Sequence, residues 1–225
     1  MQVFLETGRL VLRRFTEADV DNLFDLDSDP EVMRFLNGGK PTPRDVIENE
    51  ILPRFPHSYE RFAGYGYWPA IEKSTGAFLG WFGFVPPEGS SPDNVGLGYR
   101  LRKSAWGKGY ATEGSRALIR KGFTELGVQR VFATTYQDNL ASRRVMEKAG
   151  LTLVRTYRIT PEELLAEGTF YNTSQELWDG DDVEYALEKA DWEQQEMARL
   201  TERSRRCILD SRRPAEAAHG HEHCR

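Results

Sequence analysis

Cysteine is scarce in this sequence of 225 residues: it has two, Cys207 and Cys224, and both lie near its C-terminal end. No disulfide framework can hold the core, so a reducing cytoplasm is the simplest expected location. Long apolar runs are lacking as well, since none approaches the ~20 residues of a membrane-spanning helix. The first ten residues do not have the basic segment and apolar run of a signal peptide. We therefore expect no membrane partner.

Positive charge is not in excess either. The chain has 30 Lys and Arg against 35 Asp and Glu, a formal net charge of −5. Proteins that bind nucleic-acid backbones usually carry a basic excess, so we expect no nucleic-acid partner. One local basic group could serve a phosphate-bearing small molecule, and it consists of Arg100, Arg102, Lys103 and Lys108.

Hydrophobic periodicity and turn residues divide the chain into strands and helices. We predict strands at 9–15, 67–73, 77–85, 94–101, 130–136, 151–158 and 182–188. Helices are predicted from Thr16 to Asp29-Pro30, from Thr42 to about Pro53, and over 109–126, 140–149 and 189–206. Residues 53–66 are expected to be irregular and residues 210–225 disordered. This order predicts an α/β (α+β) protein with a mixed sheet and helices on both faces.

The glycine-rich stretch SAWGKGYATEG at 104–114 leads into one of these helices. Such a turn favours phosphate binding, because free N–H groups and the helix dipole attract anions. The P-loop pattern fails, since Gly109 follows Lys108 where a Ser or Thr is required. The dinucleotide pattern GxGxxG also fails, because Thr112 stands at the third glycine position. A nucleotide hydrolase is therefore disfavoured.

A second motif, DN-x-x-S-x-x-V-x-E-K-x-G-L, runs over residues 138–151. Together with WGKGYATE at 106–113, it resembles the GCN5-related N-acetyltransferase superfamily, and most of all the branch with bacterial acetyltransferases of ribosomal-protein N-termini. The resemblance spans roughly 7–190 and is most specific over 94–158. It implies an acetyltransferase domain at 1–190, with a mostly antiparallel sheet of about seven strands and a splayed central pair. Residues 191–225 would form a charged helical extension and a histidine-containing tail.

The resemblance implies acetyl-coenzyme A as cosubstrate. Amides in the glycine-rich turn would hold its pyrophosphate, and the pantetheine arm would lie between strands 94–101 and 130–136. The family has Gln or Arg three residues before the first glycine, whereas this chain has Ser104, so Arg102 or Lys103 would supply the cation. The expected cofactor-binding residues are Leu101, Arg102, Lys103, Trp106, Gly107, Lys108, Gly109, Tyr110, Ala111, Thr112, Asn139 and Ser142.

For the chemistry, the resemblance implies that Asn139 contacts the pantetheine and Ser142 protonates or stabilises the departing thiolate. Their i, i+3 spacing places both on one side of a helix. The structural alternatives are a helix N-cap for Asn139 and a surface position for Ser142. The acetyl carbonyl would lie near Tyr99 and Leu101. The expected catalytic residues are Ser142, Asn139 and Tyr136.

The base that deprotonates the amine is left open among Glu72, Tyr136, Glu184 and a water-mediated route. Glu113 is read as a structural residue of the GYATE block. Direct attack in a ternary complex is expected, because no cysteine lies in the core to carry an acetyl group.

The acceptor is expected near 30–66 and 157–182, two regions rich in aromatic residues, the second also rich in carboxylates. They would either hold a cationic amine or belong to the core and the solvated surface. A protein N-terminus, a polyamine, an amino sugar and an antibiotic amine remain open as acceptors, and a non-catalytic acyl-coenzyme A sensor is the alternative function. The charged helix makes a homodimer a candidate. We expect no metal site, since the histidines after residue 218 lie in a solvated tail.

Overall fold

A computed structural model describes residues 2–61, 63–158 and 180–211. Its strands are β1 Val3–Glu6, β2 Leu10–Arg13, β3 Gly66–Glu72, β4 Phe78–Val85, β5 Asn94–Leu101, β6 Arg130–Tyr136, β7 Thr152–Tyr157 and β8 Asp182–Glu188. Its helices are α1 Val20–Asp27, α2 Pro30–Asn37, α3 Arg44–Val46, α4 Arg54–Arg61, α5 Tyr110–Glu125, α6 Leu140–Ala149 and α7 Lys189–Ser211. A π-helical turn, Ile47–Ile51, continues α3. Most of the predicted disordered tail, 212–225, lies outside the described residues.

The strands form one eight-stranded sheet in the order β1-β2-β3-β4-β5-β6-β8-β7. Strands β5 and β6 run parallel, and the other neighbours in the described sheet are antiparallel. The parallel ladder ends where Gly96 pairs with Phe132. Beyond that point β5 and β6 separate, which confirms the mixed, mostly antiparallel sheet with a splayed central pair. The gap opens toward the loops that follow the two strands.

Helices α5 and α6 cover one face of the sheet. Two glycines of α5 allow close packing: a Cβ on Gly114 would lie 2.3 Å from Phe82 Cζ, and one on Gly122 would lie 2.7 Å from Phe84 Cζ. On the other face, α1, α2, the π-helical turn and α4 pack their apolar side chains on Phe78 and Trp81 of β4. The sheet is therefore buried on both faces near β4, as the sequence predicts.

The prediction that residues 53–66 are irregular is wrong, because α4 occupies Arg54–Arg61. Phe55 is fully buried and stacks on Phe15 with ring centroids 4.0 Å apart. Pro56 lies in the first turn, where a missing N–H costs nothing. The local composition, with its proline and aromatic residues, is typical of a loop, but burial of Phe55 stabilises a helix.

Two elements at the start of the chain were not predicted. Asp29-Pro30 ends α1 as expected, but it also begins α2: Asp29 Oδ1 accepts a hydrogen bond from the Glu31 amide at 2.9 Å, and proline is favoured at the first helical position. Strand β1 pairs with β2 at the edge of the sheet. It accounts for eight strands where about seven were expected.

Ser115 offers a test of the packing between α5 and the sheet. Its hydroxyl is buried, and it has no hydrogen-bond partner among the described residues. An unpaired buried hydroxyl is unfavourable by about 1 kcal/mol, and alanine is the better helix former. Ser115→Ala is therefore expected to raise the melting temperature by about 2–4 °C for a chain of this size, measured by calorimetry. A lower melting temperature would contradict this packing.

The chain divides into two compact units, Met1–Lys189 and Ala190–Arg225. Helix α7 extends the helix predicted at 189–206 to Ser211. Within the described residues, we find no helix with the length and apolar character that a bilayer crossing requires.

Candidate active site

The glycine-rich turn has the geometry of an anion site. Gly107 and Gly109 have φ values of +72° and +81°, in the left-handed region that favours glycine. Gly109 is the N-cap of the 16-residue helix α5, without a side-chain cap, and its carbonyl accepts the first helical bond from the Glu113 amide at 3.0 Å. The amides of Tyr110, Ala111 and Thr112 thus have no acceptor within the helix. They are positioned to bind an anion at the turn.

The cationic side chains near this turn are partly neutralised. Arg102 Nη2 lies 3.4 Å from Asp25 Oδ2, and Lys103 Nζ lies 2.5 Å from Glu31 Oε1. Both residues therefore contact carboxylates of the segment that contains α1 and α2. Lys108, within the turn, is exposed. The backbone amides are therefore the donors of the turn that no described carboxylate neutralises.

At the other end of the site, β5 directs backbone groups into the gap beside β6. The Arg102 amide donates to Leu79 O at 2.8 Å, on the β4 side. Hydrogen-bonding directions alternate along an antiparallel strand, so the amides of Tyr99 and Leu101 point away from β4. The Trp106 indole donates to Leu101 O at 2.8 Å and so ties the turn to the strand. The amides of Tyr99 and Leu101 can therefore pair with an extended ligand, as the amides of a strand pair with an added strand.

Ser142 lies at this gap, held by Tyr99. The Tyr99 hydroxyl lies 3.0 Å from both Ser142 O and Ser142 Oγ. Burial raises the pKa of Tyr99 well above its usual range, although the bond to Ser142 lowers it in part. The phenol therefore stays protonated at neutral pH. A Ser–Tyr hydroxyl pair can deliver a proton to a leaving group in the gap.

Asn139 is the N-cap of α6. Its Oδ1 accepts from the Ser142 amide at 3.2 Å, and its Nδ2 donates to Thr135 Oγ1 at 3.1 Å. Asn139 thus has the structural role given above as its alternative, that of a helix N-cap, and its bonds orient the first turn of α6. Thr135 faces α6, so the next residue along β6, Tyr136, faces the opposite side of the sheet. The expected catalytic residues thus approach the gap from both faces.

Two of the three candidate bases are held as carboxylates. Hydrogen bonds from Thr75 and then Tyr110 lower the pKa of Glu72, which lies beside the glycine-rich turn. Burial would raise the pKa of Glu184, but Arg130 at 2.5 Å and Arg155 at 2.8 Å lower it overall. A carboxylate with a lowered pKa is a weak base. Tyr136 therefore remains the side-chain candidate of the three.

Comparison with known proteins identifies the family of this chain. The sequence model of the acetyltransferase (GNAT) domain matches residues 9–152. The chain belongs to the GNAT acetyltransferase family. It is 33% identical to FsC-acetyl coenzyme A-N(2)-transacetylase of Aspergillus fumigatus over 187 residues, which cover 79% of this chain and 78% of that protein.

Solved GNAT structures share the fold. RimL, a ribosomal-protein alpha-N-acetyltransferase in complex with coenzyme A, aligns with a TM-score of 0.64 at 18% identity, over 83% of this chain and 98% of RimL. An aminoglycoside acetyltransferase in complex with coenzyme A aligns with a TM-score of 0.61 at 22% identity, over 82% and 98% of the two chains. At these identities, the likeness shows that this GNAT protein has the same fold.

Of the two regions expected near the acceptor, the first is largely core in this GNAT protein. Phe55, Tyr65 and Trp68 are buried, and the Tyr65 hydroxyl donates to Pro92 O at 2.9 Å. The aromatic residues of this region thus mainly support the sheet. Most of the second region, 159–179, lies outside the described residues.

A partly exposed strip on β5, formed by Gly96 and Gly98, lies on the sheet face opposite α5 and α6. Gly98 is partly exposed, although β5 is a central strand. A Cβ built on it would meet the Trp81 ring at 3.9 Å, an ordinary contact distance, so the fold itself does not require glycine there. Next to it, the buried pair of Arg100 and Asp27, 2.6 Å apart, joins β5 to α1. Glycine in a strand interior often marks close approach of a ligand.

Sequence reasoning missed Arg9, and it missed the partner of Tyr99, which it placed only near the acetyl carbonyl. It gave Tyr99 no partner, although strand alternation already places Tyr99 on the same face as Leu97 and Leu101. Arg9 was not considered at all, because its contact with the glycine-rich turn joins residues 99 positions apart. No local pattern in the sequence could reveal that contact.

Proposed function

We propose that this protein is an acetyl-coenzyme A-dependent N-acetyltransferase that acts on a primary amine by direct attack in a ternary complex. The observation that carries the proposal is the Ser142 hydroxyl, which lies at the β5–β6 gap and is held 3.0 Å from the Tyr99 hydroxyl. The glycine-rich turn supplies the phosphate end of the same site. Family membership supports the coenzyme, since solved relatives contain coenzyme A.

The proposed reaction assigns each group one task. Amides of Gly107 to Thr112 hold the pyrophosphate, and β5 backbone groups align the pantetheine. A backbone N–H of β5 in the gap stabilises the oxyanion as the amine attacks the thioester carbonyl. Ser142, with Tyr99 behind it, gives a proton to sulfur as the carbon–sulfur bond breaks. The amine loses its proton to water on the opposite face, either directly or by relay through the Tyr136 hydroxyl, which passes its own proton to water.

The acceptor is proposed to be a primary amine, either of a small molecule or of a protein N-terminus. The name of the Aspergillus relative refers to an N(2) position, and RimL acts on a protein amino group. We propose that the amine approaches over Gly98, because this strip lies beside the gap on the face opposite Ser142.

A thiol-release assay with a panel of amines tests this function. The panel contains polyamines, aminoglycosides, amino acids and N-terminal peptides, and mass spectrometry identifies the acetylated product. We expect coenzyme A release with at least one amine class and one acetyl group added to nitrogen. Tight acetyl-coenzyme A binding without turnover on any amine would favour an acyl-coenzyme A sensor instead.

Gly98→Ala tests the proposed approach of the amine. The added methyl group fits the free protein but occupies the strip, so kcat/KM for the best amine of the panel should fall at least about tenfold through misplacement of the nucleophile. The dissociation constant of acetyl-coenzyme A should not change, because the substitution does not alter the glycine-rich turn. Gly98→Val should show a larger loss. Unchanged kcat/KM in both variants would mean that the amine arrives elsewhere.

A further inference from the structure

The turn between β1 and β2 makes hydrogen bonds to the start of α5 and to the residue just before its N-cap. Arg9, in this turn, donates from Nη1 to Lys108 O at 2.9 Å and from Nε to Glu113 Oε2 at 2.6 Å. Its Nη2 also lies 2.6 Å from Glu113 Oε2. One arginine thus binds both the carbonyl between the two left-handed glycines and the first acidic residue of α5.

Glu113 completes the connection from its other oxygen. Its Oε1 accepts from Thr7 Oγ1 at 2.6 Å and from the Arg9 amide at 2.9 Å. Burial would raise the pKa of Glu113, but the hydrogen bonds from Thr7 and Arg9 lower it overall. The carboxylate therefore stays ionised, and the ion pair with Arg9 persists at neutral pH.

Tyr110, the first residue of α5, also contacts Arg9. The Arg9 guanidinium lies 4.4 Å from the centroid of the Tyr110 ring, and the Tyr110 hydroxyl donates a hydrogen bond to Glu72. Residues 108, 110 and 113 are thus all fixed from outside the helix. Three N–H groups of the guanidinium are already engaged and Glu113 balances its charge, so Arg9 is suited to order the turn rather than to bind phosphate itself.

We propose that Arg9 is a positioning residue for the coenzyme pyrophosphate. It holds the Lys108 carbonyl, and thereby directs the amides on either side of it toward the phosphates before the coenzyme binds. This inference rests on the proposed function, because it takes the turn to be the phosphate site. Donors that are already aligned bind an anion without an ordering cost.

The test compares three probes by calorimetry on the full chain: coenzyme A, 3′-dephospho-coenzyme A, and pantetheine, which lacks the pyrophosphate. We expect Arg9→Met to weaken the binding of coenzyme A and of 3′-dephospho-coenzyme A equally, by at least about tenfold. This is the loss expected when a charge-assisted hydrogen bond from a turn amide to the pyrophosphate is misaligned. Pantetheine binding should be unchanged. Arg9→Lys should recover part of the affinity.

Two further variants serve as controls. Arg14→Met makes the same change in the same segment, but the Arg14 guanidinium lies over the Tyr59 ring at 4.8 Å, so its coenzyme affinity should equal that of the wild type. Arg9→Met leaves Glu113 without its cation, so the double variant Arg9→Met/Glu113→Gln is measured as well. It should show the same selective loss with a melting temperature closer to that of the wild type.

Three results would overturn the inference while the proposed function stands. They are unchanged coenzyme A affinity in Arg9→Met, an equal loss for pantetheine, and a loss that disappears with 3′-dephospho-coenzyme A. The second would indicate general distortion, and the third a direct contact with the 3′-phosphate. Absence of coenzyme A binding in the wild type would instead contradict the proposed function itself.

Discussion

Gly107→Val is expected to weaken acetyl-coenzyme A binding at least about 100-fold. A hydrogen bond to a charged group is worth about 1.5–3 kcal/mol, so loss of two such bonds exceeds this factor. Two effects of the valine side chain remove these hydrogen bonds between the turn amides and the pyrophosphate. A β-branched residue disfavours the φ of +72° at this position, and its side chain projects where no described atom lies within 4 Å, into the proposed phosphate site. The dissociation constant is measured by calorimetry.

Gly127→Val is the matched control for this variant. Gly127 follows the C-terminal end of α5, has φ of +76°, and likewise has no described atom within 4 Å of a built Cβ. It therefore suffers similar backbone strain outside the proposed site. We expect both variants to lower the melting temperature by similar amounts, whereas the control keeps wild-type acetyl-coenzyme A affinity. Equal affinity in the two variants would show that the turn at Gly107 does not bind the coenzyme.

Ser142→Ala is expected to lower kcat by about 10²–10³, the usual contribution of a positioned proton donor. The dissociation constant of acetyl-coenzyme A should change little, because the phosphate turn and the β5 backbone are intact. Thiol release with the best amine of the panel measures kcat. Ser115→Ala removes a buried hydroxyl on α5 that has no part in the proposed reaction, and it should retain wild-type kcat. An unchanged kcat in Ser142→Ala would exclude this hydroxyl as the donor.

Tyr99 makes the same proposal testable by pH. A tyrosine whose pKa is raised keeps its proton above the usual titration range, so the Ser142–Tyr99 pair should remain a donor at alkaline pH. Accordingly, kcat should show no decline near the ordinary tyrosine pKa of about 10. Tyr99→Phe removes the hydroxyl behind Ser142 and should lower kcat less than Ser142→Ala does.

The sequence predicts best those elements whose signals are local. Helix α6 was predicted with its observed bounds, because Asn139 caps its start and Gly150, at φ of +105°, ends it. Strand β6 was predicted with equal accuracy. The splay between β5 and β6 followed only from the family resemblance, since no periodicity in either strand indicates where pairing stops.

Two of the errors come from contacts between distant segments. Helix α4 forms because Phe55 is buried against Phe15, 40 residues earlier, and its local sequence is typical of a loop. The contact of Arg9 with Lys108 likewise joins the first hairpin to the centre of the chain. For Asn139, the two interpretations are compatible, since the amide that bonds to this N-cap belongs to Ser142, the proposed proton donor.

A crystal structure of the protein with bound coenzyme A would test the central claim most directly. We predict that pyrophosphate oxygens accept hydrogen bonds from the amides of residues 107–112. We also predict that the pantetheine lies between β5 and β6, with its sulfur within hydrogen-bond distance of Ser142 Oγ. Coenzyme A bound away from the glycine-rich turn, or a sulfur remote from Ser142, would contradict the proposed site and its chemistry.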